Sequence, residues 1–182
     1  GDQWQYYVDP TPVPEARIES VEGGDEIDLG DRTVDVIHAP GHAPHQVVFY
    51  DRGDHILFSG DAGGIRPEGA EDLFPTSPPV NFDLEACLAD AETIAEQNPE
   101  YICFGHFGHA AFSPDLMAEY ADVLTAWVER VREKRAELDD DEAVIEHFAE
   151  TAETVEPWGE RKSRAENRLN VKGVLGYLDE QD

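Results

Sequence analysis

Three short stretches carry side chains able to hold a metal. Pro40-Gly41-His42-Ala43-Pro44-His45 follows an apolar run that ends near His38. Phe58-Ser59-Gly60-Asp61 closes a second run, and Phe104-Gly105-His106-Phe107-Gly108-His109 follows a third that begins at Tyr101. Each reads as strand, glycine, then an imidazole or a carboxylate. Glycine lets the backbone turn sharply and leaves room beside a ligand. Two imidazoles and a carboxylate are donors that zinc and non-haem iron accept. Singly, each stretch has an ordinary reading: a turn histidine, a satisfied core group, an Asp that forms a turn. Their repetition in this order asks for a common cause. His45, His109 and Arg66 are the candidates to touch a substrate. Arg66 is the one cation in its loop and suits a substrate carboxylate, with a surface salt bridge as the competing role. His55, His147, Trp127, Trp158 and Tyr120 fit structural or packing roles.

The elements that must position these groups are legible in the apolar pattern. Arg17 to Val21, Glu26 to Leu29 and Thr33 to Ile37 read as short strands separated by Gly23-Gly24 and Gly30-Asp31. Gln46 to Tyr50 and His55 to Ser59 flank Asp51-Arg52-Gly53-Asp54, a hairpin turn. Residues 62 to 82 read as a long irregular loop, of the kind more often functional than ornamental. Asp83 caps a helix carried by Leu84, Leu88, Ala91 and Ala95, and Tyr101 to Phe104 is a strand. Ser113-Pro114 opens a long helix whose face is Leu116, Tyr120, Leu124, Trp127, Val131 and Leu138. Asp139 to Glu142 starts another, carried by Val144, Phe148 and Ala152, where acids suit the positive end of the helix dipole. Pro157-Trp158-Gly159 interrupts the pattern. A last helix holds Ala165, Leu169 and Leu178, weakened by Gly173 and Gly176. The order is strands, a βαβ-like passage, then a helical tail from about Ser113, with no obvious chemistry in the tail.

The chain has 182 residues, with 13 Lys and Arg against 41 Asp and Glu, a formal charge of −28. No Lys or Arg occurs between Pro67 and Glu129. Such a surface repels phosphate backbones and anionic bilayers, which excludes a nucleic-acid groove and a membrane-surface role. No apolar run approaches the roughly 20 residues needed to span a bilayer, and no leader is visible, so a cytoplasmic protein is expected. The acids are spread along the whole chain and only three lysines occur. That pattern reads as adaptation to high salt, where counterions screen self-repulsion. Cys87 and Cys103 are expected to be buried free thiols, not a disulfide framework.

The stretch Val36-Ile37-His38-Ala39-Pro40-Gly41-His42 resembles the third motif of the metallo-β-lactamase fold superfamily, with His42 in the ligand place. Leu57-Phe58-Ser59-Gly60-Asp61 is similar to its fourth motif, with Asp61 as the bridging carboxylate. Ile102-Cys103-Phe104-Gly105-His106 resembles the fifth, with His106 as the last ligand. Pro78-Pro79 and Asn81-Phe82-Asp83-Leu84-Glu85-Ala86 resemble a subgroup of general hydrolases. The resemblance covers most of residues 15 to 110 and, weakly, Asn170 to Leu178. It implies an α/β fold: the C-terminal half of an αββα sandwich over residues 1–112, followed by a helical extension over residues 113–182. It also implies a hydrolase with two divalent metal ions, zinc first with iron or manganese as alternatives. His42 would hold one ion and His106 the other, and Asp61 would bridge them at roughly 3.5–4 Å. A metal-bound hydroxide would attack a small-molecule substrate.

Two departures from the family are plain. The motif His-x-His-x-Asp-His, which lies upstream of everything above, is absent from these 182 residues. The chain therefore reads as the C-terminal part of a longer protein whose N-terminal half completes the domain. These residues alone should bind metal weakly and not turn over. Many relatives also carry a histidine four residues after the ligand that His42 matches; this chain has Gln46, with His45 beside it. Two other readings stand: a partial or degenerate non-catalytic domain that assembles, as a homo-oligomer, through its helical tail, or an iron-dependent oxidoreductase of the same fold.

Overall fold

In the computed structural model, residues 11–67, 72–78, 80–106 and 108–181 are described. Pro79 and Phe107 of the motifs above, and 68–71 of the long loop, lie outside the described residues. Six strands form one sheet in chain order. They are β1 (Glu26–Asp28), β2 (Thr33–His38), β3 (Val47–Asp51), β4 (Ile56–Gly60), β5 (Tyr101–Phe104) and β6 (His109–Ala111). Every neighbouring pair is antiparallel except β4 and β5, which run parallel. A parallel pair needs a crossover. It is made by the loop after Asp61 and by helix α1 (Leu84–Gln97). Helices α2 (Pro114–Leu138), α3 (Asp141–Glu150) and α4 (Gly159–Gln181) follow.

The expected punctuation holds the helices in place. Asp83 caps α1 by accepting the Ala86 N–H at 2.9 Å, and Asp140 caps α3 by accepting from Glu142 and Ala143. The turn between β3 and β4 closes on Asp51, whose Oδ1 accepts the N–H groups of Gly53 and Asp54. Those bonds, above all the one from Asp54, hold the Asp51 carboxyl below the usual carboxylate range.

The two faces of the sheet have different fates. Val48, Tyr50, Leu57, Ile102, Phe104 and Ala110 share one face and join a single apolar core with α1, α2, α3 and α4. The other face carries Phe49, Phe58, Tyr101 and Cys103, matched across β3, β4 and β5. Phe58 and Tyr101 are each 44% exposed there. One β layer with helices on one side, and a second apolar side that is partly exposed among the described residues, is half of an αββα sandwich followed by helices. The core does not break between Phe112 and Pro114. Leu124, Val131, Val144, Val171 and Val174 are as buried as Leu57 and Ile102.

Several elements differ from the sequence expectation. Arg17 to Val21 is not a strand. A short 3-10 turn covers Glu15–Arg17, and Ile18 and Val21 are exposed. Their spacing of three residues does not match the period of two that a half-buried strand requires. β6 has no counterpart in the apolar pattern; its His-Ala-Ala sequence has little strand propensity, and pairing with β5 imposes the strand. Ala152 lies beyond the end of α3, and Leu138 is 37% exposed at the end of α2. Cys87 is buried, whereas Cys103 is only half-buried; both are free thiols. The long loop is less irregular than expected. Ile65 and Phe74 form a β-bridge, and Ala62, Leu73, Thr76, Ser77 and Phe82 are buried. α4 continues through Gly173. This glycine is buried where the helix meets the loop: a Cβ there would lie 2.0 Å from the Ser77 carbonyl oxygen. No described helix is long and apolar enough to cross a membrane.

Candidate metal centre

The loops after β2, β4 and β5 converge at one end of the sheet. After β2, the Ala39 N–H bonds the Gln46 carbonyl and the Gln46 N–H bonds the Ala43 carbonyl, so His42 sits in a tight turn. This turn is pinned to α1. The Gly41 N–H donates to Asp90 Oδ2 at 2.7 Å, and the Gly41 carbonyl accepts the Asp83 N–H at 3.0 Å. The approach is so close that a Cβ on Gly41 would fall 2.2 Å from the Cys87 nitrogen. Only glycine fits there.

Asp61 and His106 are brought together by the parallel pair. The Gly105 N–H donates to the Gly60 carbonyl at 2.9 Å, which joins the end of β5 to that of β4. Gly60 has φ +54°, and Gln46 Nε2 lies where its side chain would be. Gln46 thus packs on the turn into Asp61 and donates to the Val47 carbonyl.

The three expected ligands meet. His42 Nε2 lies 3.6 Å from Asp61 Oδ2, and His106 Nε2 lies 3.4 Å from Asp61 Oδ1. These separations are too long for good hydrogen bonds. They match the spacing of neighbouring ligands around one ion: bonds of about 2.0–2.2 Å at tetrahedral angles put donor atoms roughly 3.3–3.6 Å apart. His42 Nδ1 and Asp61 Oδ1 are buried without a hydrogen-bond partner. Buried polar atoms are rarely left so, and a cation between the imidazoles and the carboxylate would satisfy Asp61. Burial holds the His42 imidazole below its usual pKa, and the Asp61 carboxylate opposes that shift. A neutral imidazole is the form that ligates. The residues present therefore fit a divalent metal. Among the described residues, however, no three His, Cys, Asp or Glu side chains close around one point. Each carboxylate oxygen faces one imidazole, so each metal position has two donors here.

The other candidates are spread out. His45 is exposed in the His42 turn, close enough to disfavour charge on His42. Arg66 is half-buried beside the Ile65–Phe74 bridge. His109 lies on β6 with its ring edge-to-face with Tyr101, at 6.3 Å between centroids.

Residues not singled out by the sequence hold the centre together. Asp90 is one, 4% exposed on the inner face of α1. Burial pushes its carboxyl up, and the Gly41 N–H pulls the other way. A carboxylate on an apolar helix face, three residues after Cys87, was the available signal. The segment 75–78 is another. Thr76 Oγ1 donates to the Asp61 carbonyl at 2.9 Å. Trp127 Nε1 donates to Ser77 Oγ at 3.0 Å, and Asn170 Oδ1 accepts the Ser77 N–H at 2.9 Å. The helical region thus reaches the segment that bonds the Asp61 carbonyl, which its apolar pattern did not reveal.

Comparison with known proteins gives the family and the fold. The family profile described as the metallo-beta-lactamase superfamily matches residues 1–106. A metallo-beta-lactamase fold-containing protein of Sulfurisphaera tokodaii is 34% identical over 104 residues, 57% of this chain and 37% of that protein. The acyl-coenzyme A thioesterase MBLAC2 of Gallus gallus is 46% identical over 96 residues, 53% of this chain and 33% of that protein. The matched stretch thus spans about a third of the length of these curated relatives. The crystal structure of an archaeal metallo-beta-lactamase superfamily protein from Sulfolobus tokodaii superposes with a TM-score of 0.64 at 23% identity. The match covers 98% of this chain and 59% of that one, so the shared fold includes the helical region.

Proposed function

The chain belongs to the metallo-beta-lactamase superfamily, and from that membership we propose that it is the metal-binding C-terminal part of a hydrolase. The observation that carries the proposal is the placement of two imidazoles against opposite oxygens of one carboxylate, at 3.6 and 3.4 Å. His42 and His106 would each hold one divalent ion, and Asp61 would hold both. Zinc fits this donor set, with iron or manganese as alternatives. Such an ion, when bound, supplies Lewis acidity and ionises water near neutral pH.

The chain's own residues do the positioning. Asp90 and the Asp83 N–H fix the Gly41 turn, so His42 presents Nε2 toward Asp61. The Gly105–Gly60 bond sets His106 on the other side. The remaining donors would come from a segment outside these residues. The apolar face bearing Phe58 and Tyr101 is where a second sheet would pack.

For substrate we propose an ester-like carbonyl compound. A thioester is the first to test, because a relative with 46% identity over 96 residues is named an acyl-coenzyme A thioesterase. The experiment compares thioester hydrolysis by this chain and by the protein extended upstream, each with and without Asp61→Asn. Turnover is expected only in the extended protein, and Asp61→Asn should abolish it. Turnover by the 182 residues alone, or an extended Asp61→Asn protein with undiminished rate, refutes the proposal.

A further inference from the structure

We propose that Thr76, held by Tyr120 of helix α2, is a positioning residue that fixes Asp61 for metal, so that the helical region sets the metal affinity of the centre. The inference rests on the reading of His42, Asp61 and His106 as ligands.

The hydrogen directions can be assigned. Thr76 Oγ1 lies 2.9 Å from the Asp61 carbonyl, which can only accept, so the threonine hydrogen is spent there. Tyr120 Oη lies 3.1 Å from the same Oγ1 and must donate to it. The result is a directed chain: Tyr120 O–H to Thr76 O–H to the Asp61 carbonyl. That carbonyl also accepts the Gly64 N–H at 3.1 Å, which closes the turn carrying the carboxylate. The Tyr120 ring lies against this turn. A Cβ on Gly64, at φ +80°, would fall 2.5 Å from ring atom Cε2.

Packing alone does not account for the phenol. Tyr120 is 1% exposed and Thr76 5% exposed. A phenylalanine would fill the same space without burying a hydroxyl, whose desolvation is unfavourable unless it is paired. The Tyr120 hydroxyl is paired with Thr76, and the hydroxyl of Thr76 leads to Asp61. The next residue, Ser77, is bonded to Trp127 and Asn170, so the segment cannot drift from α2 and α4. Groups that orient a metal ligand from behind typically change metal affinity about 10–100-fold when removed.

The test measures the Zn²⁺ dissociation constant by chelator competition, and the Co²⁺ absorption bands, for the full chain and four variants. Thr76→Val keeps the shape and removes the hydroxyl; it should weaken binding about 10–100-fold and alter the Co²⁺ bands. Thr76→Ser should restore affinity. Tyr120→Phe should weaken binding less than Thr76→Val, since the bond to Asp61 survives. Tyr177→Phe is the control. It removes another phenol hydrogen bond, to Glu85, far along α4, and should lower Tm while leaving affinity unchanged. Parent-like affinity in a folded Thr76→Val overturns the inference, as does equal weakening by Tyr177→Phe. If Thr76→Val does not fold, equal affinity in Tyr120→Phe and Tyr177→Phe overturns it. A parent chain that binds no divalent ion up to millimolar concentration refutes the ligand reading itself, and the inference falls with it.

Discussion

Two glycines three residues apart on α4 offer a matched test of how this helix is seated. Gly176 has nothing within 4 Å of its missing Cβ, whereas a Cβ on Gly173 would lie 2.0 Å from the Ser77 oxygen and 2.6 Å from the Pro78 carbonyl carbon. Intrinsic helix propensity favours alanine over glycine by about 1 kcal/mol at either place. Gly176→Ala should therefore stabilise by about 1 kcal/mol, raising Tm by roughly 2–4 °C for a chain of this size. Gly173→Ala meets a wall. The closest tolerated C···O contacts are about 3.3 Å, so the helix and the loop must part by roughly 1.3 Å. That separation breaks the two Ser77–Asn170 bonds, at 2.9 and 3.1 Å, each contributing about 1 kcal/mol. Overpacking adds about 1–3 kcal/mol, and the propensity gain offsets about 1 kcal/mol of the loss. The net destabilisation is about 2–4 kcal/mol, a fall in Tm of roughly 4–16 °C. Thermal and urea denaturation at fixed KCl measure both variants, and hydrogen exchange at the Ser77 amide reports the broken contact. If Gly173→Ala is as stabilising as Gly176→Ala, α4 does not press on Ser77 and the coupling of the helices to the centre is wrong.

Three further outcomes follow from the same structure. Asp90 is buried with its carboxyl pushed up in pKa. Its contribution to stability is therefore full below the unfolded value, about 3.9, and is lost as pH rises through the higher folded value. Asp90→Asn removes that loss, so in chelator the variant should gain on the parent as pH rises above about 4; parallel stability curves contradict this. The −28 charge predicts that Tm climbs with KCl and that desalting partly unfolds the chain, and a Tm indifferent to KCl removes the high-salt reading. Phe58→Ser with Tyr101→Ser acts on the partly exposed apolar face. Within this chain the pair should shift stability by no more than about 1 kcal/mol, yet it should clearly destabilise an upstream-extended protein, as urea midpoints would show; equal shifts in both mean nothing packs there.

The strands and helices with strong periodicity were readable in the sequence. β2, β3, β4, α1 and α2 stand within a residue or so of where the apolar pattern put them, because each has a buried face with an unambiguous period. The supposed strand at Arg17 to Val21 lacked that period, and β6 is a strand only because β5 offers an edge. The convergence of His42, Asp61 and His106 was legible because glycine and a donor recur at strand ends. Their supports were not. Thr76 sits in a segment with no regular structure, and Tyr120 falls on the buried face of α2, where a tyrosine chosen for its hydroxyl looks like one chosen for its ring. Asn170 and Ser77 are 93 residues apart in sequence, and no local pattern announces such a pairing. Side-chain hydrogen bonds across long separations appear only once the fold has set them.

Titration of Zn²⁺ into the chain and into its Asp61→Asn variant tests the central claim most directly. The carboxylate faces both imidazoles, so the parent should bind weakly and the variant should lose binding at both positions. An Asp61→Asn protein that takes up Zn²⁺ with the parent's stoichiometry and affinity would contradict the account.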